Sequence, residues 1–276
     1  FVRKVFACVH SSLFLFILVL LNWTIIKFVT HPLSELQYLF FSLAAVYAFY
    51  GFTLHKKIGH LLIAFVLAGF AFLTRTVGIA LMAALSVGLM REYRHQLIAL
   101  IRKNRMLIAL LVLCSTAIII FSKQLGLNHY TDVFSRQFQE GVSFIQMVGW
   151  HFSEWGEISI NTSGGKIVNM LPAPLGKWML IGTGILVVAG FIYICFIKKN
   201  RIPFIAKAYL FFYILLMFNW PFSDPRFWVP VIPLIAAVIA QTSFSSLRRL
   251  RIPLSFLFIV YTAFGILSMG YMTYTS

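Results

Sequence analysis

Charged residues are scarce in this 276-residue chain, where Asp, Glu, Lys and Arg together make up only 11% of the sequence. Soluble globular domains carry about a quarter charged residues and are about half apolar. This chain is instead 61% hydrophobic, with a mean hydropathy of +0.90. The composition excludes a soluble globular protein and indicates an integral membrane protein.

Acidic residues are the scarcest of the charged types, with 7 Asp+Glu against 23 Lys+Arg and a formal net charge of +16. In a soluble chain this excess would suggest a nucleic-acid partner. In a membrane protein, basic residues mark the loops that face the cytoplasm. We therefore expect no nucleic-acid partner and interpret the basic residues as signals of topology.

Cysteine is scarce as well, and Cys8, Cys114 and Cys195 all fall in apolar segments without a CxxC pair. This placement is typical of buried free thiols rather than of disulfides or metal ligands. The P-loop, HExxH and GxSxG motifs are also missing from the sequence. We expect no metal and no cofactor, and nothing supports serine hydrolysis.

The sequence begins at Phe1, and Val2-Arg3-Lys4 leads directly into a long apolar run. We expect a fragment or a processed chain with further sequence upstream. The run 5–29 is longer than the apolar part of a signal peptide, and no small-x-small cleavage site follows it before Pro32. It predicts a membrane-spanning helix.

The long apolar runs predict an all-α fold, a polytopic transmembrane helix bundle that forms a single domain over 1–276. A helix needs about 20 apolar residues to cross a hydrocarbon core about 30 Å thick. About nine membrane segments satisfy or approach this length. They are 5–29, 36–54, 58–74, 77–90, 106–122, 174–197, 203–220, 228–243 and 253–273.

Orientation follows from the basic residues, because cytoplasmic loops of membrane proteins are enriched in Lys and Arg. A cytoplasmic start places sixteen of the 23 basic residues on the inner side. They are Arg3, Lys4, Lys56, Lys57, Arg91, Arg94, Arg102, Lys103, Arg105, Lys198, Lys199, Arg201, Lys207, Arg248, Arg249 and Arg251.

The stretch 58–90 is predicted to be a hairpin of two short passes, because a single helix would place Lys56-Lys57 and Arg91 on opposite sides. Its turn at Thr74-Arg75-Thr76 is then expected below the outer headgroups. An Arg at membrane depth is costly unless it is paired or faces a cavity. Arg75 is therefore a candidate functional residue.

The segment 123–172 is predicted to be one long outer loop with an interfacial helix. Apolar residues from Phe134 to Val148 recur at helical spacing, and the pattern is expected to break at Gly149. His151 and Glu154 beyond it are expected to have ordinary surface roles, with an acid/base couple or part of a metal site as the alternative. Asn161-Thr162-Ser163 also matches the N-glycosylation pattern.

We expect three short outer segments to converge, namely the loop 30–35, the hairpin tip with Arg75 and the segment 219–227. They contain the candidate site residues. Glu35 and Asp224 are candidate catalytic carboxylates, and Arg75 and Arg226 are candidates to bind a phosphate bidentately. His151 is a further candidate for substrate binding. The alternative is that Asp224 and Arg226 simply pair with each other and that Glu35 only caps a helix.

Three stretches, which include these candidate residues, resemble membrane glycosyltransferases of the GT-C fold, a group that includes protein mannosyltransferases and transferases that add sugars to lipopolysaccharide. The resemblance rests on Ser34-Glu35 opening a helix, on Leu73-Thr74-Arg75-Thr76-Val77-Gly78, and on Asp224-Pro225-Arg226-Phe227-Trp228 followed by Val229-Pro230-Val231-Ile232-Pro233. It covers residues 34–233.

This resemblance implies transfer of a sugar, with inversion, from a polyprenyl-phosphate-linked donor to an acceptor glycan, lipid or protein. The transfer would take place at the outer face of a membrane, the inner (plasma) membrane of a bacterium. Members of the group usually carry a catalytic carboxylate in the first outer loop, whereas here no acid precedes Glu35. We therefore expect the catalytic carboxylate to lie upstream of Phe1. Without that carboxylate, we expect this chain alone to be inactive.

Two other functions keep the helical fold. A lipid or polysaccharide transporter without catalysis would predict broken or charged mid-membrane segments in an internal repeat, and the sequence shows no such repeat. An O-antigen ligase or polymerase would also have many helices and a long outer loop. Alanine substitutions would favour it if Arg136 or His151 mattered more than Arg75.

Overall fold

The computed structural model describes residues 19–29, 34–94, 135, 141–162, 172–197, 202–238, 259–268 and 270. Nearly all of these residues are helical, and no strand occurs in these ranges. The all-α prediction is confirmed for this part of the chain.

Nine α-helices are described, together with two short 3₁₀ turns, Thr76–Gly78 and Pro225–Trp228. The α-helices are α1 Trp23–Val29, α2 Ser34–His55, α3 Ile58–Thr74, α4 Ile79–Glu92, α5 Phe144–Ile160, α6 Ala173–Ile192 with a π-helical continuation at Tyr193–Ile197, α7 Phe204–Phe218, α8 at residues 232–238 and α9 Ile259–Ser268.

In the described ranges, two helices are long and apolar enough to cross a membrane, Ser34–His55 and Pro174–Phe196. Three further apolar helices, α3, α7 and α9, are shorter. A bundle of nine membrane segments is therefore not confirmed. The segment 106–122 lies outside the described residues, and 5–29 is described only from residue 19, where the helix is interrupted at Leu21-Asn22.

The predicted break in the stretch 58–90 is confirmed, because α3 ends at Thr74 and α4 begins at Ile79. Arg75 between them is extended, with φ −152° and ψ 134°, and ends the helical ladder. Gly78 then passes so close to α3 that a Cβ there would lie 2.6 Å from the Cα of Phe72. Only glycine fits this turn without a shift of the backbone.

Two ion pairs show how α2, α3 and α4 align. Lys56 at the end of α2 pairs with Glu92 at the end of α4, while Glu35 at the start of α2 pairs with Arg75 at the end of α3. The helices therefore run alternately up and down, with Lys56 and Arg91 at one end of the bundle. This is the arrangement that the hairpin prediction required.

Helices α5 and α6 approach each other through two glycines. A Cβ added at Gly156 of α5 would lie 2.2 Å from the carbonyl oxygen of Leu180, and one at Gly184 of α6 would lie 1.8 Å from that of Phe152. The backbones therefore touch at two points, each glycine facing a carbonyl of the other helix. Small residues permit such close crossings.

The expected break at Gly149 is wrong, because α5 runs through it from Phe144 to Ile160. Ser143 accepts a hydrogen bond from the backbone N–H of Gln146, and the Gln146 side chain accepts one from Ser143 N–H, which forms a capping box. This cap starts the helix. Its buried face, which packs toward α6 and the core, contains Met147, His151, Glu154, Trp155 and Ile158.

A buried asparagine joins three distant segments at the end of α5. Asn161 adopts a left-handed conformation, with φ 63°. Its Oδ1 accepts a hydrogen bond from Trp23 N–H, and its Nδ2 donates to the carbonyl oxygens of Leu21 and Tyr261, at 2.8 and 2.9 Å. The side chain has no exposed surface. A glycan cannot reach this atom in the folded chain, so the N-glycosylation pattern does not mark an accessible site.

Candidate functional site

Glu35 and Arg75 form a buried ion pair at one end of the bundle. Glu35 lies in the first turn of α2, and Arg75 occupies the turn that follows α3. The Glu35 side chain is 5% exposed and that of Arg75 is 17% exposed. An Arg at this position was expected to need a partner, and the Glu35 carboxylate is that partner.

Asp224 and Arg226 form a second pair, which is open to solvent. The Asp224 Oδ2 lies 2.9 Å from the Arg226 Nε, and these side chains are 30% and 38% exposed. The Asp224 Oδ1 also accepts a hydrogen bond from Arg226 N–H at 3.0 Å. Asp224 thereby caps the 3₁₀ turn Pro225–Trp228, so the local pairing that was the alternative interpretation is present.

The ring of Phe227 brings the two pairs together. The guanidinium carbons of Arg75 and Arg226 lie 5.2 and 5.0 Å from its centroid, within cation–π range. The Tyr213 hydroxyl donates to the carbonyl oxygen of Phe227 and fixes the backbone at this point. Arg75 and the segment 219–227 therefore meet at one aromatic ring, and Glu35 is linked to them through its ion pair with Arg75.

A layer of tyrosines lies beneath this ring. The Tyr209 hydroxyl donates to that of Tyr38 at 3.1 Å, and Tyr213 packs on both Tyr38 and Tyr209. All three tyrosines are fully buried. Tyr38 lies one turn after Glu35 in α2, so this layer ties the start of α2 to α7, which carries Tyr209 and Tyr213.

The arrangement has hydrogen-bond donors to spare. Each guanidinium carries five N–H groups, and one carboxylate can accept only two of them in a bidentate pair. Arg75 and Arg226 can therefore hold their carboxylates and still donate to a phosphate. Arg226 is the more accessible of the two.

The two candidate carboxylates have different surroundings. Asp224 is exposed enough for a substrate hydroxyl to approach. Glu35 is buried, and its Oε2 finds no hydrogen-bond partner among the described residues. Only Asp224 can contact a substrate in this conformation, whereas Glu35 acts on Arg75.

His151 is buried rather than on the surface, so the expectation of an ordinary surface role is wrong for both His151 and Glu154. His151 has no exposed area and Glu154 is 3% exposed. The His151 Nδ1 lies 2.8 Å from Glu154 Oε2, and its Nε2 lies 2.8 Å from the carbonyl oxygen of Trp220. With both ring nitrogens engaged and no exposed surface, His151 cannot contact a substrate in this conformation.

The hydrogen-bond partners determine where the protons lie. A carbonyl oxygen only accepts, so the Nε2 of His151 carries a hydrogen. Glu154 Oε2 also accepts from the indole N–H of Trp228, at 2.7 Å. Glu154 Oε2 therefore lies between the His151 imidazole and the Trp228 indole and contacts both.

This pair holds both ends of the segment that carries the candidate site. Trp220 precedes Asp224, and Trp228 follows Phe227. His151 binds the backbone of the first Trp, and Glu154 binds the side chain of the second. Helix α5 therefore holds residues 220–228 at both ends. Through these contacts, His151 and Glu154 position Arg226 and Phe227.

Within the described ranges, no group of three His, Cys, Asp or Glu side chains is arranged to hold a metal ion. Cys195 is buried, as expected. Cys8, Cys114 and Arg136 lie outside the described residues.

Phe227 and Trp228 stand in the motif that carries the resemblance but were given no role, and the tyrosine layer was missed. Two signals were present in the sequence. Phe227 stands next to Arg226, and Tyr209 and Tyr213 are four residues apart, on one face of a mostly apolar helix.

No family model matches the chain, and no curated protein or solved structure shows significant similarity to it.

Proposed function

We propose that the protein is a membrane glycosyltransferase that moves a sugar from a polyprenyl-phosphate-linked donor to an acceptor glycan, lipid or protein. The observation that carries this proposal is the meeting of two guanidiniums and two carboxylates around Phe227. Arg forks recognise phosphate, and a carboxylate can take a proton from an attacking hydroxyl. Both are needed for this reaction.

The side chains on the outer surface of the helices support a membrane environment. Large apolar residues are widely exposed, among them Leu73 at 78%, Leu186 at 75%, Trp178 at 69% and Phe40 at 66%. Such a surface would aggregate in water, but it suits hydrocarbon. We place the site at the outer face of a bacterial inner membrane, because the basic residues Lys56, Lys57, Arg91 and Arg94 lie at the other end.

In the proposed reaction, Arg75 and Arg226 bind the phosphate of the donor. The acceptor hydroxyl attacks the anomeric carbon of the sugar, and the bond from that carbon to the phosphate oxygen breaks. The phosphate leaves with the electron pair, and Asp224 takes the hydroxyl proton. Glu35 holds Arg75 in place, so we assign it a positioning role.

The test combines phosphate binding with sugar transfer. Purified protein is titrated with a polyprenyl phosphate, and transfer of sugar to membrane acceptors is measured in parallel. Arg75→Ala removes charge-assisted hydrogen bonds of about 1.5–3 kcal/mol each. We expect binding at least about 10-fold weaker and loss of transfer, with normal membrane insertion.

The matched control is Lys57→Ala, which removes a positive charge at the opposite end of the bundle. It should leave binding and transfer unchanged. Arg75→Lys should restore part of the binding, because it keeps the charge without the fork. Full transfer activity in the Arg75→Ala variant would refute the phosphate role.

A further inference from the structure

A second basic site lies at the far end of α2 from Glu35. The end of α2, the end of α4 and the start of α7 line an open cavity of about 150 Å³. A cavity of about this volume accommodates a benzene-sized group. Its lining is Phe49, Tyr50, Thr53, Gly88, Arg91, Glu92, Pro203, Phe204 and Ile205.

Arg91 is held at the wall of this cavity by an aromatic ring. Its guanidinium carbon lies 4.2 Å from the centroid of Phe204, the closest cation–π contact in the described residues. Stacking on a ring face leaves the N–H groups at the edge of the guanidinium plane free to donate. The cavity therefore has a fixed, forked donor.

The charged residues described around the cavity are mostly basic. Glu92 also lines it, but Lys56 pairs with that carboxylate. Lys207, one turn into α7, lies within electrostatic range of Arg91. Among the described residues, no carboxylate forms an ion pair with Arg91 or Lys207. Two neighbouring cations repel each other unless an anion lies between or beside them.

We propose that this cavity binds a phosphate group, with Arg91 as its main ligand. The shared chemistry is an anionic phosphate, whether from a phospholipid headgroup or from free phosphate. Basic pockets between membrane helices on the cytoplasmic side bind anionic headgroups in this manner. The aromatic part of the lining, from Phe49, Tyr50 and Phe204, suits the glycerol and acyl parts of a lipid. The site is separate from Arg75 and Arg226 and does not depend on sugar transfer.

The experiment measures thermal stability of the purified full chain in a neutral detergent at constant ionic strength. The three probes are short-chain phosphatidylglycerol, short-chain phosphatidylcholine and inorganic phosphate. A ligand that binds only the folded state raises Tm, by on the order of 5 °C at about 100 times Kd. We expect this rise with phosphatidylglycerol and none with phosphatidylcholine, whose ammonium group the basic end repels.

Two variants make the result specific. Arg91→Gln should abolish the rise in Tm, and Lys57→Gln, which removes a neighbouring charge outside the cavity, should keep it. Arg91→Lys guards against misfolding of the first variant and should keep a smaller rise. A rise with inorganic phosphate alone, also lost in Arg91→Gln, would identify free phosphate as the source.

Three outcomes would overturn the proposal. Arg91→Gln could keep the full rise, Lys57→Gln could lose as much of it as Arg91→Gln, or none of the three probes could raise the Tm of the parent protein. None of them bears on binding at Arg75, so the proposed sugar transfer stands or falls by its own test.

Discussion

The two ion pairs of the candidate site differ in energy because they differ in burial. Breaking a buried pair such as Glu35–Arg75 leaves an uncompensated charge and costs about 3–5 kcal/mol. An exposed pair such as Asp224–Arg226 contributes about 0–1 kcal/mol. The Glu35–Arg75 pair is therefore costly to break, while Asp224 and Arg226 can exchange partners at little cost.

His151 is the residue whose loss should disturb the site most without contacting a substrate. In the variant His151→Ala, the carbonyl of Trp220 and the carboxyl of Glu154 lose buried partners. We expect the free energy of unfolding to fall by about 3–5 kcal/mol, which lowers Tm by on the order of 10 °C. Thermal unfolding followed by tryptophan fluorescence in detergent measures it.

The control for His151 is His55→Ala, because His55 is exposed at the end of α2. That change should move Tm by less than about 2 °C. An unchanged Tm in the variant His151→Ala would show that the buried pair does not hold residues 220–228.

At this scale the sequence predicted identities better than environments. Arg75 was predicted as a candidate functional residue because a charge in an apolar stretch is costly unless it has a partner. The burial of His151 could not be foreseen, because its partners Trp220 and Trp228 are distant in the sequence, and only the packing of α5 brings them together. The catalytic and binding roles themselves stay predictions.

At the scale of elements, the contact between α5 and α6 depends on two glycines that look like helix breakers in the sequence. Gly in a helix interior costs about 1 kcal/mol relative to Ala. Gly156 and Gly184 have a packing reason to be there, since each faces a carbonyl of the other helix. A Cβ added at Gly149 would meet nothing within 4 Å, and this glycine lies in a helix that its cap and its buried face stabilise.

Gly184→Ala should therefore destabilise the protein. The added methyl group meets the carbonyl of Phe152 and forces the helices apart, at a cost of about 1–3 kcal/mol or more. Gly182→Ala, two residues earlier in α6, meets nothing within 4 Å and should instead stabilise by up to about 1 kcal/mol. Thermal unfolding of both variants tests the opposite signs, and an equal effect would contradict the close crossing.

The elements also show why boundaries were predicted well in one place and poorly in another. The hairpin 58–90 was predicted correctly because charge clusters at its ends left only one topology. In 123–172, charge gave no such constraint, and a local glycine was given more weight than the capping box at Ser143 and Gln146. The side of the membrane on which α5 lies stays a prediction.

For the whole molecule, the topology makes a prediction that two thiols can test. Helix α2 has 22 residues and is about 33 Å long, close to the thickness of a bilayer core. In a background with alanine at Cys8, Cys114 and Cys195, Phe222→Cys should react with an impermeant maleimide added to intact bacterial cells. Lys57→Cys should react only after the membrane is opened.

Both positions are exposed in the folded chain, so reactivity reports sidedness rather than burial. Labelling of both from the same side would contradict a membrane between the two ends. Labelling of Lys57→Cys alone would invert the proposed orientation and move the site to the cytoplasmic face.

The buried amide of Asn161 also has a consequence for the order in which the molecule is built. Its partners Trp23 and Tyr261 lie 138 residues before it and 100 residues after it. At a synthesis rate of about 5–20 residues per second, the carbonyl of Tyr261 is made on the order of 5–20 s later than Asn161. Until then one amide hydrogen of Asn161 lacks its final acceptor. Helix α9, which carries Tyr261, therefore completes a hydrogen-bond network that includes Trp23 near the start of the described residues.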